Sequence, residues 1–134
     1  MATTTNTPND NRIRFVLYSS LVAVSIVAVI FAIKYTTLKL RVAFADGQVR
    51  IFDGMKVLAN STTDPHKLSG QLEYVLIYYP SGSKQVTGTQ LDRVVESARS
   101  NAIAEIVARL RATTGKDLGN EPDKWLKEYP PSAN

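Results

Sequence analysis

The sequence predicts a mainly α-helical protein. It is read as one N-terminal transmembrane helix, a juxtamembrane stalk and a small C-terminal helical-hairpin domain. Three observations carry that reading. The run from Phe15 to Ile33 contains no charged residue, no Gly and no Pro. Two later segments repeat apolar residues every three or four positions, each behind a recognisable helix start. Strand-like alternation is confined to residues 38–51, so nothing else supplies strands for a sheet.

Residues 1–14 are rich in Thr and Asn, lack an apolar stripe and read as a disordered tail. Residues 15–35 follow as the transmembrane helix, with Phe15, Leu21, Ile26, Ile30 and Ile33 as its anchoring side chains. At ~1.5 Å per residue, Phe15 to Ile33 spans roughly 28 Å as a helix, close to the ~30 Å core of a bilayer. A lone span in hydrocarbon must pair its backbone groups internally, which only a helix does. Tyr18 and Tyr35 lie near its ends, where amphipathic aromatics favour the headgroup zone. A cleaved signal peptide fits less well. Its apolar region is usually ~7–15 residues, and the nearest cleavage-like triplet, Ala43-Phe44-Ala45, lies beyond Lys34, Lys39 and Arg41. Two Arg precede the span and these three basic residues follow it, so the positive-inside rule leans by one residue towards a cytoplasmic C-terminal domain. Ser25, Ala28 and Ala32 share one face and would allow close approach of a second helix.

Residues 36–62 form the stalk and carry two patterns at once. Leu38, Leu40, Val42 and Phe44 alternate, Asp46-Gly47 follows, and Val49 and Ile51 alternate again, as in a hairpin. The same stretch sets Leu38, Val42, Ala45, Val49 and Phe52 at helical spacing. An isolated hairpin is marginal in water, so helix is the favoured reading.

Residues 63–129 form the helical domain, and 130–134 a short tail. Asp64-Pro65 opens a helix whose apolar face is Leu68, Leu72, Val75, Leu76 and Tyr79, and Pro80-Ser81-Gly82-Ser83 stops it. Thr89 and Asp92 resemble a capping box ahead of a stripe of Leu91, Val95, Ala98, Ala102, Ile106 and Leu110, which Gly115 ends. Glu105 and Arg109 are spaced for an ion pair on its outer face. A last helix from Glu121 to Tyr129, capped by Asn120 and stopped by Pro130-Pro131, brings Trp125 and Tyr129 to one face. That pair reads as closing the end of a small core.

Composition narrows the chemistry. The absence of Cys excludes disulfides, thiolate metal sites and a cysteine nucleophile, and one His excludes a two-His centre within one copy. His66 sits in the first turn of a helix, a poor setting for a Ser-His-Asp triad. The carboxylates are scattered singly among Lys and Arg. The loop Gly82 to Gly88 holds Lys84 between its glycines, out of order for a phosphate loop. Arg93, Arg99, Arg109 and Arg111 alternate with Asp92, Glu96 and Glu105, as on a solvated face and not on a phosphate track. No catalytic residue, cofactor, metal site or nucleic-acid partner is therefore expected.

Two stretches carry a resemblance. Tyr78-Tyr79-Pro80-Ser81-Gly82-Ser83-Lys84-Gln85 with Leu91-Asp92-Arg93-Val94-Val95-Glu96 resembles a segment of uncharacterised small bacterial membrane-anchored proteins. The stretch from Leu110 to Gly119, then Glu121-Pro122 and Trp125, is similar to the closing motif of bacterial HEAT-repeat-like proteins. The resemblance covers about residues 64–129. It implies paired helices that present a protein-binding surface, with no catalytic residues to carry over. One helix pair is legible where a solenoid needs about three, so a repeat-like fragment is what it implies. Tyr78, Tyr79, Lys84, Trp125 and Tyr129 are the candidate interaction or core residues. The expected role is a protein-binding adaptor or accessory subunit whose partners are the lipid bilayer and a protein, the latter either another chain or a second copy. The alternatives are a self-assembling structural membrane protein, or a ligand-binding domain or enzyme built on the Ser81–Thr89 loop.

Overall fold

The computed structural model describes residues 8–78 and 85–132 and is helical throughout, with no strand among the described residues. Four helices follow in order: α1 (Pro8–Asn60), α2 (Pro65–Ile77), α3 (Gln90–Thr114) and α4 (Pro122–Glu128). The chain divides into two compact units, Met1–Leu40 and Arg41–Asn134.

In the first unit the described chain is the early part of α1, a helix long and apolar enough to cross a membrane. It begins at Pro8, so the described part of the segment expected to be a disordered tail is helical. None of its apolar window is buried, and Phe15, Leu21, Ile26, Ile30 and Ile33 are all exposed. The hydroxyls in the window bond within the helix. Ser19 donates to the Val16 carbonyl, Ser20 to Leu17 and Ser25 to Leu21, at 2.9–3.0 Å. Thr36 and Thr37 do the same to Ala32 and Ile33. Such back-bonding satisfies a hydroxyl without water, as an apolar medium requires.

The second unit has a core drawn from every helix it contains. Ala45, Phe52 and Ala59 of α1 join Leu68, Leu72 and Val75 of α2, Val95, Ala102, Ile106, Val107 and Leu110 of α3, and Trp125 of α4. Residues 41–60, read from sequence as part of a stalk, thus contribute a fully buried Phe52 to this core. The register follows from three hydrogen bonds. Gln85 Nε2 donates to the Arg41 carbonyl at 3.1 Å, while Asn60 Nδ2 reaches Glu105 Oε1 at 2.9 Å. Arg109 Nη2 meets the Thr62 carbonyl at 3.4 Å. The last third of α1 and α3 therefore run in the same direction, and α2 returns antiparallel between their ends.

The helix boundaries follow from local chemistry. Asp64 accepts the His66 N–H at 2.9 Å, with Pro65 in the first turn of α2. Thr89 Oγ1 accepts the Asp92 N–H at 3.3 Å, and the Asp92 carboxylate reaches back to the Gly88 N–H at 2.8 Å, one residue beyond a standard capping box. Gly115 ends α3 at φ 68°, where a side chain would be strained. For α4 the cap position is Glu121 with no side-chain cap bond; Asn120, expected to cap it, instead accepts from Arg111 Nη2 at 3.2 Å.

Candidate protein-binding groove

The site is built where α2, the end of α1 and the chain after α4 converge. α2 passes Gly70 against Pro131, and a Cβ added at Gly70 would lie 3.8 Å from the Pro131 Cβ. The approach is held from the other side by His66, whose Nδ1–H donates to the Pro130 carbonyl at 2.7 Å. A carbonyl oxygen only accepts, so the ring nitrogen in this bond, Nδ1, carries a proton. Tyr129 packs edge-on to the His66 ring at 6.0 Å and stacks near Trp125 at 6.5 Å. Trp125 is fully buried and donates its indole N–H to the Gly119 carbonyl at 2.9 Å. The result is an open groove of about 410 Å³, lined by Met55, His66, Gln71, Tyr74 and Pro131 among others, with Lys67 and Glu73 on its polar rim.

One polar atom in this wall lacks a partner. Gln71 Oε1 is shielded from solvent and accepts no hydrogen bond. A buried acceptor left unmade costs about 1–3 kcal/mol. Tyr74 stacks on Tyr78 at 4.6 Å, which stiffens one end of the wall with a planar face.

The joint that holds α4 in place is a polar network. Asp117 Oδ1 accepts from the Gly119 N–H at 3.0 Å and from Arg111 Nε at 2.9 Å. Arg111 Nη2 also reaches the Gly119 carbonyl at 3.3 Å. These contacts hold the Asp117 carboxyl below its ordinary value, the Gly119 N–H most and Arg111 next. Across the same joint Lys116 pairs with Glu128 and lies over the Tyr129 ring, which raises its ammonium above the usual range, chiefly through Glu128.

Three arginines expected on a solvated face are instead structural. Arg99 donates Nε to the Val75 carbonyl at 3.1 Å and Nη2 to the Leu76 carbonyl at 2.6 Å, so it closes the C-terminus of α2. Arg109 serves Thr62 and Arg111 the α4 joint. Glu105, expected to pair with Arg109, accepts from Asn60 and lies 3.9 Å from Lys56. Of the candidate residues, Tyr78 is half-buried at the end of α2, Trp125 is in the core and Tyr129 borders it. Tyr79, Lys84 and the loop from Ser81 to Lys84 lie outside the described residues. Sequence reading missed the groove itself, because Met55, Gly70, Gln71 and Pro131 share no spacing that marks them. Among the described residues no group of three or more His, Asp or Glu side chains is arranged to hold a metal ion. No protein-family model, curated protein or solved structure matches this chain.

Proposed function

We propose that this chain is a single-pass membrane protein whose helical unit acts as a protein-binding adaptor or accessory subunit, docking its partner in the groove between α2 and Pro131. The α1 run of exposed apolar side chains supports the anchor, since water would not tolerate that much unburied hydrocarbon on a monomeric helix. The groove supports the docking role, and the observation that carries it is the solvent-shielded, unpartnered Gln71 Oε1 in a mixed wall of Met55, Tyr74 and Pro131 with His66, Lys67, Glu73 and Ser132. An extended segment offering a backbone N–H to Gln71 and a side chain against Met55 and Tyr74 is the complementary partner. The paired helices expected from the resemblance to HEAT-repeat-like proteins belong to the same reading, as does a cytoplasmic side for this unit.

Photo-crosslinking from the full chain in its native membrane tests the proposal. A crosslinking residue at Lys67 or Glu73 on the rim should trap one defined protein, and one at Asp123 on α4 should not. Products from all three positions alike would overturn the groove, and adducts made solely of this chain would establish self-assembly in its place. Extraction by alkaline carbonate would remove the anchor from the reading.

A further inference from the structure

We infer that the outer face of α2, from His66 to Tyr74, is a track for extended, proline-bearing chain, and that the partner of the groove binds there in that form. The inference rests on the docking role proposed above and names the chemistry of the occupant. The protein supplies its own example. Pro130 and Pro131 lie across the first half of this face. The Pro130 carbonyl accepts the His66 Nδ1–H at 2.7 Å, and the Pro131 Cβ lies 3.8 Å from where a Cβ on Gly70 would be. A proline ring thus covers the one place on α2 that has no side chain of its own. Two successive prolines suit the position. Each ring fixes its φ, and the second pushes the first into extended backbone, so little ordering is needed on docking.

The second half of the face is open. From His66 to Tyr74 α2 rises ~12 Å, which about four residues of polyproline chain cover at ~3.1 Å each. Pro130 and Pro131 account for two of them. Beyond these, Gln71 and Tyr74 of α2 and Met55 of α1 line the groove of about 410 Å³. Tyr74 is 38% exposed and braced by stacking on Tyr78 at 4.6 Å, the kind of aromatic surface on which proline-rich segments dock. Gln71 restricts the sequence. Its shielded Oε1 takes no donor from Ser132, and Pro130 and Pro131 have no N–H to offer. The segment that fits therefore has prolines at the ring seats and, between them, a residue with a backbone N–H for Gln71. A helix fits less well, because past its first turn its N–H groups are spent internally. The rim pairs Lys67 with Glu73, one charge of each sign, and so favours an uncharged segment over a strongly acidic or basic one.

The chain contains two methionines, and Met55 lines the groove, so isotope-labelled methionine methyls place one signal in the site. Met55→Leu assigns it by its loss. The full chain in detergent is titrated to about 1 mM, the weak end of specific affinity, with three blocked decapeptides: alternating Pro-Ala, all-Pro and alternating Ser-Ala. Trp125 emission verifies that each variant is folded. The Pro-Ala peptide should move the Met55 signal to saturation, all-Pro should bind about fivefold more weakly for want of an N–H, and Ser-Ala should leave it in place. Tyr74→Ala should weaken the Pro-Ala peptide at least tenfold, and Gln71→Met should bring Pro-Ala and all-Pro level. Equal movement by Ser-Ala would overturn the role of proline while leaving a peptide groove. Pro-Ala binding unchanged in Tyr74→Ala, or a gap to all-Pro that persists in Gln71→Met, would overturn the seats assigned here. If no peptide moves Met55 while crosslinkers at Lys67 and Glu73 trap a protein, this occupant is wrong and the groove stands; silence in both experiments removes the groove as well.

Discussion

Arg99 shows how a residue's role depends on what arrives beside it from elsewhere in the chain. Its sequence neighbours, Glu96 and Asp92, suggest an alternating charged face, yet its guanidinium is mostly covered and closes the carbonyl end of α2. Cations at a helix C-terminus are favourable, and hydrogen bonds from charged donors are worth about 1.5–3 kcal/mol. Arg99→Met should therefore destabilise the detergent-solubilised protein by about 2 kcal/mol. The check is urea unfolding followed through Trp125, the sole tryptophan. Arg93→Met, on an exposed neighbouring position, should leave the midpoint unchanged. Asp117 makes a pH-dependent case. Its folded carboxyl titrates below the ordinary 3.8, held there first by the Gly119 N–H and then by Arg111. A depressed acid stabilises the fold above the unfolded value and loses that contribution as pH falls through the folded one. The joint to α4 should thus weaken below about pH 4, and Asp117→Asn should flatten this acid limb in Trp125 emission. Equal acid limbs in the two proteins would assign the effect to other carboxylates.

At the scale of the element, helix ends were far easier to read than helix partners. Asp64-Pro65, Thr89 and Gly115 act on atoms within a few residues, so their roles are visible in local order and the structure places α2 and α3 where they indicate. Residues 38–51 were ambiguous for the opposite reason. Leu38, Leu40, Val42 and Phe44 alternate, yet all four are exposed on a continuous helix; the positions that decide are Ala45, Gln48, Phe52 and Ala59, buried at helical spacing. Tertiary packing on α2 and α3 resolves what propensity leaves open. Phe52→Ala should accordingly cost about 3–5 kcal/mol, against a near-neutral Val57→Ala on the exposed face, measured by the same urea titration. Two glycines of α1 offer the reverse test. Gly47 and Gly54 sit mid-helix with nothing within 4 Å of an added Cβ. Alanine at either should raise stability by about 0.5–1 kcal/mol, seen as a higher midpoint and slightly greater helicity by circular dichroism. A loss on substitution would mean that another chain occupies that face.

For the whole molecule, the organising fact is an asymmetry between the two ends of the second unit. One end is bonded to Arg41 and carries exposed cations and apolar side chains; the other is the α4 joint, where Lys116–Glu128 and Lys124–Glu121 balance charge. The apolar run of α1 was legible because hydrophobicity is a local sum over consecutive residues. The groove and the basic end were not, because each depends on which surfaces remain uncovered after packing. The proposed function rests on such leftover surface, and no local run of residues records which surface packing leaves uncovered. Trp125 reports on what shields it. It lies at the α4 joint, fully buried, with its indole N–H on the Gly119 carbonyl. Because the packing of its own unit covers it, brominated acyl chains should leave its emission unchanged in vesicles. Unfolding the second unit in urea should shift that emission to the red with bromine still without effect. Quenching of native Trp125 by bromolipid would mean that lipid, and not the packing of its own unit, shields the indole.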